Sequence, residues 1–204
     1  EERQSHVNWE ALATSSGAYA LKRKYDRDIL ETISTTSGIN AGTAITADTG
    51  DKCHSVIAES ARLLDDQSVP EENRWFVAPP IFYEKMFQAG NKIAEVQVTG
   101  DASSNLRNGL ATPGTLAGFR CYKSTALNST AGTDQVTLSG VATDASENVI
   151  LAGHISSTST ASHIAKTEVV RSTESFSDVV RGLHVFGRKV LRPEALVRGI
   201  IDFA

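Results

Sequence analysis

Cys53 and His54 stand side by side, and a thiol next to an imidazole is the simplest nucleophile-and-base pair a chain can offer. Their adjacency argues against that chemistry. Neighbours on a helix point about 100° apart, and a catalytic pair is normally assembled from separate elements. The other histidines are His6, His154, His163 and His184. His154 and His163 lie nine apart, and neither has a second ligand at i+3 or i+4. They read as capping or interface residues, with His154 in a turn after a buried strand. Asp48-Thr49-Gly50-Asp51 suggests a calcium loop but lacks the ladder of oxygen ligands and the distal Glu, so it reads as a turn with Asp51 as helix cap.

The larger signatures are missing as well. There is no glycine-rich phosphate loop, Gly-x-Ser-x-Gly elbow, His-Glu-x-x-His or Cys-x-x-Cys. Asn128-Ser129-Thr130 fits the glycosylation pattern, which carries weight only in a secreted chain. Cys53 and Cys121 are too few for a disulfide framework or a four-ligand zinc site, and free thiols are the simplest reading. No catalytic, cofactor-binding or metal-binding residue is assigned, and no enzyme activity is expected.

Composition bounds the partners. With 40% hydrophobic and 22% charged residues, the 204-residue chain reads as an ordinary globular protein of one domain or two small lobes. A net charge of −4 lacks the basic footprint that tight nucleic-acid binding needs. No apolar run approaches the roughly 20 residues of a membrane span, and no basic-then-apolar signal-peptide pattern is read from Glu1 onward. The chain begins at Glu1, inside a helical pattern, so an N-terminal segment is expected to precede it.

The elements that would position these groups follow from periodicity. Val7, Ala11, Ala18, Leu21, Tyr25 and Ile29 recur at helical spacing, predicting one long helix over residues 1–36. From Glu2 to Ile33 it would measure roughly 45–50 Å, a rod better suited to an elongated building block than to a compact enzyme. Its small stretch Ala13 to Ala18 either admits a close neighbour or marks a bend. The Gly/Thr/Ala/Ser stretch 34–50 reads as a loop, and Val56, Ile57, Ser60, Ala61, Leu63 and Leu64 give one face of a helix over 51–66.

Arg74 to Ala78 is a short buried strand after a turn at 69–73, and Pro79-Pro80 starts a helix over 81–88. Residues 99–118 read as irregular, and Phe119 to Tyr122 as a strand. A surface hairpin is expected around Gln135 to Leu138, a buried strand at Val149 to Ala152, and a weak helix over Ser156 to Ala165. Strands are expected at Thr167 to Arg171, Leu183 to Leu191 and Val197 to Phe203. The order is an α+β pattern, without regular βαβ alternation.

Four segments carry a resemblance. Val69 to Tyr83, VPEENRWFVAPPIFY, resembles the segment of tailed-phage major capsid proteins in which a turn ending in Arg leads to a buried strand and a proline-started helix. Gly114 to Ser124, GTLAGFRCYKS, is similar to that family's following strand. Asp178 to Leu196, DVVRGLHVFGRKVLRPEAL, resembles its return to the peripheral lobe, and Tyr25 to Leu30 matches an ending of its long spine helix. The matches fall in the family's order and span nearly the whole chain.

The resemblance implies the capsid fold shared by tailed phages and encapsulins, with a long spine helix in a peripheral lobe and a mixed α/β axial lobe. It puts the spine helix at 1–36, the axial domain at 37–172 and the return to the peripheral sheet at 173–204, and it implies that the family's N-terminal arm and extended loop are absent from this chain. The implied function is a major capsid protein that self-assembles into an icosahedral head shell around phage DNA. Implied partners are copies of itself in hexamers and pentamers, scaffolding and portal proteins, a cement protein, and packaged double-stranded DNA held without specific binding. No membrane and no cofactor are implied. The implied location is the virion, after assembly in the bacterial host cytoplasm. In such a subunit the acidic pair Glu71-Glu72 and the basic cluster Lys22-Arg23-Lys24 become candidates for charge pairs between copies. The competing readings are an encapsulin-like nanocompartment shell, a small α+β enzyme using Cys53 or the histidines, and a monomeric binding module.

Overall fold

The computed structural model describes residues 9–86, 115–127, 147–173 and 178–203. Helix α1 (Trp9–Thr36) is followed by β1 (Ile39–Thr46), α2 (Gly50–Asp66), β2 (Arg74–Ala78) and α3 (Pro80–Met86). Then come β3 (Thr115–Leu116), β4 (Phe119–Lys123), β5 (Glu147–His154), β6 (Thr158–Arg171), β7 (Asp178–Val190) and β8 (Leu196–Asp202). The hairpin expected at 135–138, the end of the helix expected at 87–88, and His6 lie outside the described residues.

Six strands form one mixed sheet in the order β1-β8-β5-β2-β4-β3. β1 runs parallel to β8 and β2 parallel to β4, while the pairs β5–β8, β2–β5 and β3–β4 are antiparallel. Strand alternation sends side chains to two cores. Ile150, Ala152, Phe76, Phe119, Cys121, Val197 and Ile201 meet α2 and α3 on one face. Val149, Leu151, Leu196 and Ile200 meet Ile33 of α1 and Leu127 on the other. The first core is aromatic: Phe82 lies 5.5 Å from Phe76 and 6.4 Å from Phe203, centroid to centroid. Each fully buried phenylalanine is worth about 2–3 kcal/mol, more than any exposed ion pair at about 0.5 kcal/mol. Apolar burial holds this sheet together.

β6 and β7 form a separate two-stranded antiparallel hairpin. α1 lies along it. The Tyr25 ring meets Phe186 edge-on at 4.7 Å and His184 at 5.1 Å, and Arg188 pairs with Asp28 and Thr32. A two-stranded ribbon is marginal alone, so the helix supplies the face it needs.

Three chain passages join the hairpin and helix to the sheet: residues 37–38, 155–157 and 191–195. They are bonded side by side. Gly38 N donates to Pro193 O at 2.8 Å, and Leu191 N and Arg192 N donate to Ser157 O at 2.8 and 3.2 Å. Gly38 has to be glycine, because a Cβ there would lie 2.7 Å from the Pro193 carbonyl oxygen.

Several expectations need correction. The stretch 34–50, read as a loop, contains β1, an edge strand whose register shifts on either side of Gly42 at φ 150°. That irregularity and its small residues hid it. Ser156 to Ala165, read as a weak helix, is a 3-10 turn running into β6. Its Thr-rich composition suits a strand once β7 supplies the partner. Asp51 does not cap α2: Thr49 holds the cap position, without a side-chain hydrogen bond, and Asp51 sits in the first turn. The small stretch of α1 admits no close neighbour at Gly17, where a Cβ would meet nothing within 4 Å. The close approach is made from the opposite side, by Gly182 against Leu21. A boundary between 172 and 173 would separate β6 from β7, which are hydrogen-bonded along their length, whereas β8 belongs to the six-stranded sheet.

Candidate functional site

The two thiols are withdrawn from covalent chemistry. Cys53 and Cys121 are buried free thiols, and burial pushes each up to about 11. At neutral pH neither is a nucleophile. Cys53 Sγ points at Ala47 O, 3.7 Å away, and not at the adjacent His54 ring. Burial likewise pushes the Tyr83 phenol far up, and its hydroxyl donates to Tyr122 O at 2.9 Å.

The described histidines are not gathered at one site. His154 accepts from Ser156 N at 3.2 Å and caps the 3-10 turn after β5, the role its position suggested. His184 meets Ser162 Oγ at 2.9 Å and stacks within the Tyr25–Phe186 cluster. His163 is exposed at the register shift of β6. Among the described residues no group of three His, Cys, Asp or Glu side chains could hold a metal.

What the fold does build is charged relief. The turn 69–73 carries exposed Glu71 and Glu72, and it is clamped from beneath by Arg74. That guanidinium is 2% exposed; it donates to Pro70 O at 2.9 Å, to Asp65 at 2.7 Å, and to Val69 O. Ser68 and Asn73 take left-handed backbone at φ 55° and 60°, which folds the turn back on the end of α2. The sequence places an Arg inside an apolar strand run, and that was the one signal for this clamp.

A groove of about 720 Å³ lies between the middle of α1 and the turn after β4. Lys22, Arg23, Lys24 and Arg27 line it from the helix and Lys123 from the end of β4, against one carboxylate, Asp26. The basic triplet was visible in the sequence. Lys123 and Arg27 were not part of that reading, because only the fold brings β4 beside α1. The far face of the hairpin adds an apolar strip, with Val179, Leu183 and Val185 exposed on alternate positions of β7. Beside it Glu168 pairs with Lys166 at 3.1 Å and Arg181 at 2.9 Å, and its carboxyl is held below the usual range, first by the Lys166 hydrogen bond.

A family model for phage capsid protein matches residues 9–199. The fold is similar to a solved structure from Mycobacterium phage Che8, with 28% identity and a TM-score of 0.71, covering 92% of this chain and 61% of that one. It is similar also to the capsid structure of the cyanophage P-SCSP1u, at 18% identity and a TM-score of 0.72, covering 100% of this chain and 69% of that one. A third likeness is to the mature capsid of bacteriophage PhiM1, at 12% identity and a TM-score of 0.69, covering 98% and 67%. This chain thus spans less than two thirds of the Che8 chain. No curated protein matches the sequence.

Proposed function

The chain belongs to the phage capsid protein family, and from that premise we propose that it is the major shell-forming subunit of an icosahedral phage head. The match over residues 9–199 carries this reading, because it takes in both the long helix and every strand of the large sheet but the end of β8. In the proposal α1 with the β6–β7 hairpin is the peripheral lobe. The six-stranded sheet with α2 and α3 is the axial lobe that clusters in hexamers and pentamers. Scaffolding, portal and cement proteins are its proposed partners in the host cytoplasm, and double-stranded DNA is the proposed content of the finished virion. The role is structural, without turnover.

Two features support it. The apolar strip of Val179, Leu183 and Val185 is a surface that a monomer would leave wet. The charged turn and groove offer complementary relief of the kind that fixes register between copies. Among the described residues, no helix is long and apolar enough to cross a membrane.

Electron microscopy of the full-length gene product, expressed alone and with its neighbouring genes, tests the proposal. Closed shells or capsomer-sized rings are expected. A monodisperse monomer under every condition would end this reading.

A further inference from the structure

The acidic turn and the basic groove sit at opposite ends of the same sheet. β2 and β4 run parallel, with Arg74 beside Phe119 and Ala78 beside Lys123. Glu71 and Glu72 precede the first pair, and Lys123 belongs to the last. Five strand residues at about 3.3 Å each separate the two ends by roughly 16 Å. Within one copy the turn cannot reach the groove.

Two complementary surfaces at opposite ends of a rigid element define a heterologous contact, the type that closes into rings. We propose that the Glu71–Glu72 turn of one copy seats in the groove formed by Lys22, Arg23, Lys24, Arg27 and Lys123 of the next. The proposal rests on the shell-subunit reading and adds to it which surfaces meet within a ring.

The turn arrives preformed. Arg74 already holds the carbonyls of Val69 and Pro70, so seating it costs little ordering entropy. Neither Glu71 nor Glu72 has an ion-pair partner among the described residues. A second copy is a better occupant than a polyanion such as DNA. The chain as a whole is acidic at −4, which weakens attraction of a long anion, while a two-carboxylate turn meets only the groove itself.

The full-length chain tests this in sedimentation velocity and electron microscopy, with K22E/K24E/K123E as the groove reversal, which leaves four carboxylates against Arg23 and Arg27, and E71K/E72K as the turn reversal. Each reversal alone is expected to lower the assembled fraction at least tenfold with an unchanged melting curve. An equimolar mixture of the two is expected to restore assembly, because each variant's turn then meets the other's groove. Alternation closes only even-membered rings, so the mixture should give six-fold rings and no five-fold ones.

Should a reversal disturb folding, the neutral pair K22Q/K123Q and E71Q/E72Q is read in the same assay, with a smaller loss expected from each. Reversals that assemble like wild type overturn the pairing while leaving the subunit reading in place. So does a mixture that stays unassembled when wild type assembles. K22E/K24E/K123E particles of normal form that lose nuclease-protected DNA would assign the groove to nucleic acid and overturn it too. Wild type that forms no rings removes the subunit reading itself, and the pairing with it.

Discussion

The Arg74 guanidinium and the Asp65 carboxylate are 2.7 Å apart yet occupy different media, the first 2% exposed and the second 54%. The pair is therefore lopsided. Water can replace the arginine as a partner for Asp65, whereas the buried guanidinium depends on Asp65 and on the Val69 and Pro70 carbonyls that it holds from inside the turn.

Arg74→Met is accordingly expected to cost about 2–4 kcal/mol, read from the denaturant midpoint, since it removes at once the charge-assisted hydrogen bonds that hold the turn on α2. Asp65→Asn keeps an acceptor oxygen and should stay within about 1 kcal/mol of wild type. Equal costs would mean that the carboxylate, and not the turn, is what the guanidinium is there to hold.

The thiols make a second prediction, with a definite sign. Cys53 and Cys121 are raised from 9.0 to about 11 by burial. A raised folded-state value contributes stability that is complete below pH 9 and lost as pH climbs through 11. Unfolding free energy should fall across that window by roughly 2 kcal/mol per thiol. Burial of the Tyr83 phenol adds in the same direction above pH 10. Thiol labelling at pH 8 should be slow in the native protein and fast in urea. Rapid native labelling of either cysteine would contradict the burial argument.

Gly38→Ala is predicted to be costly for a residue of such small size. Its Cβ would lie 2.7 Å from Pro193 O and 2.8 Å from Pro193 C, both backbone atoms that cannot rotate away. A loss of about 1–3 kcal/mol is expected from the forced shift. Gly17→Ala, which meets nothing within 4 Å, should instead stabilise by up to about 1 kcal/mol through helix propensity. Thermal melts of the two variants should move in opposite directions.

Arg188 ties the hairpin to α1 through Asp28 and Thr32. Arg188→Ala should cost about 1 kcal/mol. It should also raise amide exchange in β6 and β7 while leaving β5 and β8 protected, because those strands belong to the other sheet. A uniform rise across both sheets would show that the hairpin is not a separate unit of stability.

How much of this was legible beforehand depended on whether an element's cause is local. α2 announced itself through Val56, Ile57, Ser60 and Leu64 on one face, and β2, β5 and β8 through apolar runs. β6 did so only at its end, Thr167 to Arg171; its first part, read as a weak helix, becomes a strand through a partner that begins at Asp178. β1 was hidden by Gly42, whose positive φ breaks the alternation a strand should display. The charged patches were visible as strings of letters. Their placement at opposite ends of one sheet follows from the parallel pairing of β2 with β4, across an interval that no local pattern encodes.

The cross-bonded passages at Gly38, Ser157 and Pro193 also set how the molecule can deform. A body hung on one tether swivels, and on two it swings; three tethers fastened to one another leave it little freedom to do either. In a shell of the proposed kind, the step from a six-fold to a five-fold ring then cannot be absorbed by flexing each tile. The change of angle falls on the seams, where exposed charged side chains can exchange partners, and every tile enters either ring with the same shape.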